Sequence, residues 1–222
     1  MANLRTRCSR LKNSQLDVTN IKHLDGYVSN NDSTHFERRP GSLSLVAGKL
    51  ALDFTNTESG RDGAKHLDHL QTAVDLVTWA SHAKIISGRD AVLSQRTVKG
   101  QGKLARHLIT HGRSLRETIY QVNSCVIAGR QPADKLLRSL TAAHAEMLAV
   151  ATLTPNEDNY TWTWDPKIEL TAAILGPITV SVLSLLIQAD LSRIKQCHGN
   201  HCGWLFFDGT KNKSRQWCDM SV

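Results

Sequence analysis

The chain has 222 residues, 41% of them hydrophobic and 21% charged, which is enough apolar material for a packed core and excludes a disordered chain. Its formal net charge of +7 suits a polyanionic partner such as nucleic acid, and equally a basic soluble protein with none. Five cysteines, an odd number with three of them near one end, do not form the framework of a secreted disulfide protein, and metal binding in a reducing compartment fits them better.

Residues 1–42 are polar and mixed in charge and read as a mobile N-terminal extension without the apolar segment of a secretory signal. A folded α+β domain is expected over residues 43–196. Leu43, Leu45 and Ala47, then Leu50, Leu52 and Phe54, alternate as a strand does, with Gly48 shifting the phase. Asp53 and Asn56 either cap the following turn or line a candidate ligand pocket. Thr72 with Asp75 has the spacing of a capping box for a helix through Ala73, Leu76, Val77 and Ala80. Trp79 belongs to its core side. A polar helical pattern follows from Asp90 and breaks at Gly100 and Gly102.

Leu115, Ile119, Val122 and Val126 give one apolar face to a helix over 113–128, stopped by Gly129. Pro132 and Asp134 open another, whose stripe includes Leu136, Leu137, Leu140, Ala143, Met147 and Leu148, with His144 as a satisfied core or boundary histidine. Tyr160, Trp162 and Trp164 alternate with threonines and predict a strand packed against helices, with Leu153 in its hairpin partner. After Gly176 and Pro177 a helix is apolar nearly all round and should be central. The stretch 172–187 falls short of the roughly 20 apolar residues that span a bilayer, and a cytoplasmic protein with no membrane partner is expected.

The last segment, 197–222, begins with Cys197 and Cys202, continues with Trp204, Leu205, Phe206 and Phe207, and reaches Cys218 after a basic loop. Two cysteines on a tight turn, an apolar strand and a third cysteine are the parts of a small zinc module, which at this length folds only around its metal. His198 and His201 are the local candidates for a fourth ligand, although each lies between two cysteines of the knuckle; a vacant or solvent-filled fourth position is the alternative. Lys211, Lys213 and Arg215 are candidate phosphate contacts. No glutamate occurs from residue 191 onward, and no hydrolase, Walker or dinucleotide-binding pattern appears, so a non-enzyme is expected.

The motifs Cys202-Gly203-Trp204-Leu205-Phe206, Asp208, Asn212-x-Ser214-Arg215 and Trp217-Cys218-x-Met220 resemble the CGNR zinc finger of bacterial proteins described as candidate stress-induced transcription regulators. Residues 48–57 likewise resemble the ABATE domain that precedes this finger. The resemblance implies a mostly helical α+β domain with a few short antiparallel strands, followed by a treble-clef or ribbon-like finger. It implies one structural zinc on Cys197, Cys202 and Cys218, DNA as partner and a sensory N-terminal domain open to a small-molecule effector. In the family the fourth ligand is the cysteine of the Cys-Gly-Asn-Arg signature, which would fall one position beyond Val222, so the chain looks cut off immediately before it. The alternative is a small-ligand-binding or protein-interaction module whose finger is a structural cap or a remnant.

Overall fold

The computed structural model describes residues 39–61, 66–199 and 201–219. Most of the expected extension therefore lies outside the described residues. Its last part, 39–42, is a packed turn: the Arg39 N–H donates to His69 Nδ1, and Gly41 lies against the Thr78 methyl. The architecture is mostly helical, with three two-stranded antiparallel ribbons.

The expected strand over 43–54 is replaced by a short helix, α1 (Leu50–Thr55), in which all six residues are buried. Alternation is a strand signal only when the intervening residues face water. Here Ala51, Asp53 and Thr55 are as buried as Leu50, Leu52 and Phe54. Asp53 accepts the Ala47 N–H, and Thr55 donates its hydroxyl to the Leu52 carbonyl, so the polar side chains inside the core are bonded locally. Two short strands follow, β1 (Glu58–Ser59) and β2 (Leu67–Asp68), paired with Glu58 opposite Asp68.

Helix α2 (Ala73–His82) starts at the expected capping box: Thr72 Oγ1 accepts from the Asp75 N–H, and the Asp75 carboxylate accepts from the Thr72 N–H. Trp79 is fully buried on it, beside Phe54. Ser87 caps α3 (Gly88–Gly100), which starts two residues before the helical pattern expected from Asp90. After a break at Gln101 comes α4 (Gly102–Ile127), which begins well before the expected Arg113 because Leu104, Ala105, Leu108 and Ile109 continue its packed face. Its 26 residues make it about 39 Å long. Helix α5 (Asp134–Leu148) packs beside it, with Leu140 and Met147 buried and Leu137 exposed.

The hairpin β3 (Thr152–Asn156) and β4 (Asn159–Thr163) forms where expected, with Leu153 opposite Trp162. Its aromatic face does not pack as expected. Trp164 turns inward and donates Nε1–H to the Met147 carbonyl, but Tyr160 is 66% and Trp162 43% exposed. The ribbon has only two strands, and no helix covers that face among the described residues.

Helix α6 (Leu170–Gln188) starts before Gly176-Pro177 and carries Pro177 in its interior. It is long and apolar enough to cross a membrane, contrary to the sequence expectation, yet most of it is buried by α1, α4 and α5. A 3₁₀ turn (Leu191–Arg193) then leads into β5 (Ile194–Gln196), paired with β6 (Leu205–Phe207).

The larger apolar core joins α1 to α6. A second core is shared by both halves of the chain: Leu43, Ala47, Leu52 and Leu185 pack with Ile194, Trp204, Leu205, Phe206 and Cys218. The cysteine-bearing ribbon is thus part of the fold's interior.

Candidate metal centre

Cys197 follows β5, Cys202 closes the turn that leads into β6, and Cys218 returns beneath them. Their Sγ atoms lie within 4.8 Å of one another, with Cys202 and Cys218 3.6 Å apart. Tetrahedral zinc with Zn–S bonds of about 2.3 Å places its sulfurs roughly 3.8 Å apart. The turn is shaped for this approach: His201 (φ 62°) and Gly203 (φ 71°) both take left-handed conformations that swing the chain around Cys202. Backbone N–H groups of Gly199 and Cys218 donate to Cys197 Sγ at 3.4 and 3.2 Å.

These donors favour the ionised form of Cys197. Hydrogen bonds from the Cys202 and Cys218 thiols, followed by the two backbone N–H groups, hold the Cys197 thiol far below its usual range. Donating to Cys197 pushes the Cys202 thiol up, and its hydrogen bonds to the other two sulfurs together with burial push Cys218 up as well. Three thiols this close compete for ionisation, and a divalent cation removes that competition. The donor set and spacing fit zinc. Neither His198 nor His201 joins the cluster: His198 stacks edge-on against Trp217, with ring centroids 5.9 Å apart.

The basic loop is largely tied into this module. Asp208, fully buried, accepts from Lys195 Nζ at 2.7 Å, from Thr210 and from the Arg215 N–H. Burial alone would raise the Asp208 carboxyl, but the Lys195 ammonium and these donors hold it well below the usual range. Arg193 donates to the carbonyls of Asp208 and Thr210. Arg215 stacks on Phe206, 4.5 Å from the ring centroid, and donates to the carbonyls of Val46, Trp217 and Cys218. Lys213 reaches Asp190 and Ser192, each at 2.6 Å. Of the three candidate phosphate contacts, Lys211 is exposed with no partner among the described residues, Lys213 is exposed but paired, and Arg215 is half-buried and tied to three carbonyls.

Asp53 and Asn56 lie together at the other side of this core. Asn56 Nδ2 donates to the Leu205 carbonyl and its Oδ1 accepts the Leu205 N–H, both at 2.9 Å. The side-chain amide thus replaces a neighbouring strand for β6, and Phe207 N–H donates to Ala47 on the same edge. Trp204 Nε1–H donates to Ser59 Oγ, which also accepts from His69. His69 is protonated at Nε2 because its Nδ1 accepts from Arg39. Gly60 N–H donates to the Cys202 carbonyl, beside Gly203.

The sequence reading missed a buried ionic cluster next to this contact. Arg116, 3% exposed, binds Asp68 through both terminal nitrogens and Glu58 at 3.0 Å; Arg61 binds Glu58 and Glu117 and lies 3.9 Å from the Tyr120 ring centroid. Arg113 also reaches Asp68. The signal available was slight: Arg116 follows Leu115 and precedes Ile119 by three residues, so it lies beside the apolar face of its helix, one turn from Arg113. Elsewhere, an open groove of about 410 Å³ lies between α3 and the start of α6, lined by Ser94, Thr97, Gln101, Lys167 and Glu169 among others.

Two known family models match successive parts of the chain. The ABATE family model, described as "Putative stress-induced transcription regulator", matches residues 48–189, and the CGNR zinc finger model matches residues 193–222. A search of curated proteins finds no match. The chain belongs to the ABATE family, with a CGNR zinc finger joined directly to the ABATE domain.

Proposed function

We propose that this protein is a non-enzymatic, cytoplasmic transcription regulator that binds DNA through its C-terminal finger, with one structural zinc on Cys197, Cys202 and Cys218. The observation that carries the reading is the convergence of these three sulfurs in a family whose members are described as regulators. The net charge of +7 supplies attraction to phosphate, and Lys211 is the side chain best placed to use it. The domain over 43–196 acts as the sensory part, reporting to the finger through the core they share.

The test is fluorescence anisotropy with duplex DNA over a series of salt concentrations, using protein of measured zinc content. Affinity should fall steeply with salt, and Lys211→Ala should reduce the salt slope by about 1. Binding that ignores salt, or that survives zinc removal unchanged, overturns the reading.

A second reading, a small-ligand-binding module, is favoured by the groove between α3 and α6. It requires metabolites that raise the melting temperature of the wild type but not of Thr97→Val or Lys167→Ala.

A further inference from the structure

A second group of metal-ligating side chains lies outside the finger. His107 and His111 are four residues apart on α4, so their rings lie on one face of the helix one turn apart. Their centroids are 3.8 Å apart. Glu146 on α5 faces them across the interhelical seam, and one nitrogen from each histidine and a Glu146 oxygen all lie within 4.8 Å of one another.

Two features separate this group from a chance surface cluster. His111 Nδ1 lies 2.9 Å from the His107 backbone carbonyl. A carbonyl oxygen only accepts, so Nδ1 carries the proton and Nε2 keeps its lone pair. This is how metal-bound imidazoles are held: one nitrogen donates to a fixed acceptor and the other faces the ion. The second feature is the seam beside the group. His111 and Glu146 both line a cavity of about 80 Å³ whose wall also carries Ser114, Thr118, Ser139 and Thr179. That space has room for a water with several hydroxyl partners, as an ion with only three protein ligands requires. Among the described residues, Glu146 makes no hydrogen bond or ion pair, and the His107 ring nitrogens have no partner.

We infer that His107, His111 and Glu146 form a second metal site, taking one borderline divalent ion of the Zn²⁺, Co²⁺ or Ni²⁺ class. Two imidazoles and one carboxylate suit these ions and are poor ligands for calcium or magnesium, which prefer oxygen alone. Bond lengths of about 2.0–2.2 Å bring ligand atoms to within roughly 3–3.5 Å of one another, inside the 4.8 Å that bounds this group. His107 and Glu146 are exposed, so both side chains are free to adjust to the ion. The ion then ties α4 to α5. The inference does not depend on DNA binding, and the cysteine cluster plays no part in it.

The experiment is a calorimetric titration of the full-length, zinc-loaded chain with Ni²⁺ alone, with zinc measured before and after. One Ni²⁺ should bind per chain while the zinc stays in place. His107→Ala and His111→Ala should each weaken it at least about tenfold, and Glu146→Gln several-fold. The chain has ten histidines, so Ni²⁺ binding that is the same in all three variants places the ion elsewhere and overturns the inference. Absence of binding, or Ni²⁺ uptake matched by zinc release, overturns it as well. His107 and Glu146 are exposed, so their variants keep the fold and the test holds even if His111→Ala does not.

Discussion

Asn56 and Leu205 are joined by a pair of hydrogen bonds, each 2.9 Å, between one side-chain amide and one residue's backbone N–H and C=O. They lie 149 positions apart in sequence and are both fully or nearly fully buried. One is at the end of α1 and the other opens β6, so a single asparagine pins the finger to the first element of the domain.

Asn56→Ala therefore removes both partners of Leu205 at once and leaves a buried donor and acceptor unpaired. Each such group costs about 1–3 kcal/mol, so a loss of roughly 2–5 kcal/mol in urea unfolding is expected. Asn56→Asp keeps the acceptor, loses the donor and buries a charge, and should be no better. Hydrogen exchange at the Leu205 amide checks the cause. If that amide stays protected in Asn56→Ala, the pair does not hold the finger.

Removal of zinc should be felt beyond the finger. Cys218, Leu205 and Phe206 share a core with Leu43, Leu52 and Leu185, so loosening the ribbon exposes part of the domain. A metal held at 1,000 times its dissociation constant contributes about 4 kcal/mol. Chelation, or Cys218→Ser, should lower the melting temperature of the whole chain in one transition. Two separate transitions would mean that the finger folds alone.

The pH dependence of stability should show the buried ionic cluster. Burial raises the Asp68 carboxyl, but hydrogen bonds and charge from Arg116, then Arg113, outweigh it and hold the pKa at about 2 against an ordinary 3.8. A carboxylate with a depressed folded-state pKa stabilises the fold above its unfolded value, and this contribution is lost as pH falls through the folded one. The window is therefore about pH 4 to 2, and the loss is about 2 kcal/mol. Asp68→Asn should flatten that part of the profile while lowering stability at pH 7. An unchanged acid profile would show that Asp68 is not held by the arginines.

The sequence carried some of this and hid the rest for physical reasons. The capping box at Thr72, the hairpin at 152–163 and the buried helix after Pro177 depend on local pattern, and the three cysteines on spacing, so these were legible; the turns of α6 before Pro177 were not, because a proline normally marks a helix start. The α1 helix was not, because every face of it is covered and alternation then carries no directional information. The Asn56–Leu205 pair and the Arg116 cluster join residues far apart in the chain, and nothing local marks such partners. Arg215 misled for a related reason: a guanidinium that stacks on Phe206 and bonds three carbonyls reads, in sequence, like any cation in a basic loop.

Two tightly packed helical glycines should respond differently to an added methyl. At Gly112 a Cβ would come 2.7 Å from Leu76 Cδ2, the far end of a flexible, although buried, side chain. The gain in helix propensity, up to about 1 kcal/mol, offsets much of that strain, so Gly112→Ala should cost less than about 1 kcal/mol. At Gly176 the Cβ would lie 2.5 Å from the Trp164 ring. That ring cannot retreat, because its Nε1–H is tied to the Met147 carbonyl at 2.7 Å. Gly176→Ala must therefore either break the Trp164 hydrogen bond or push α6 away from the start of the 164–169 connection, at a cost of about 1–3 kcal/mol. Urea unfolding of the two variants, with Trp164→Phe as a third, separates the cases. In the Trp164→Phe background, where the ring is smaller and untied, Gly176→Ala should lose most of its penalty; a penalty that persists would place the strain in the helix itself.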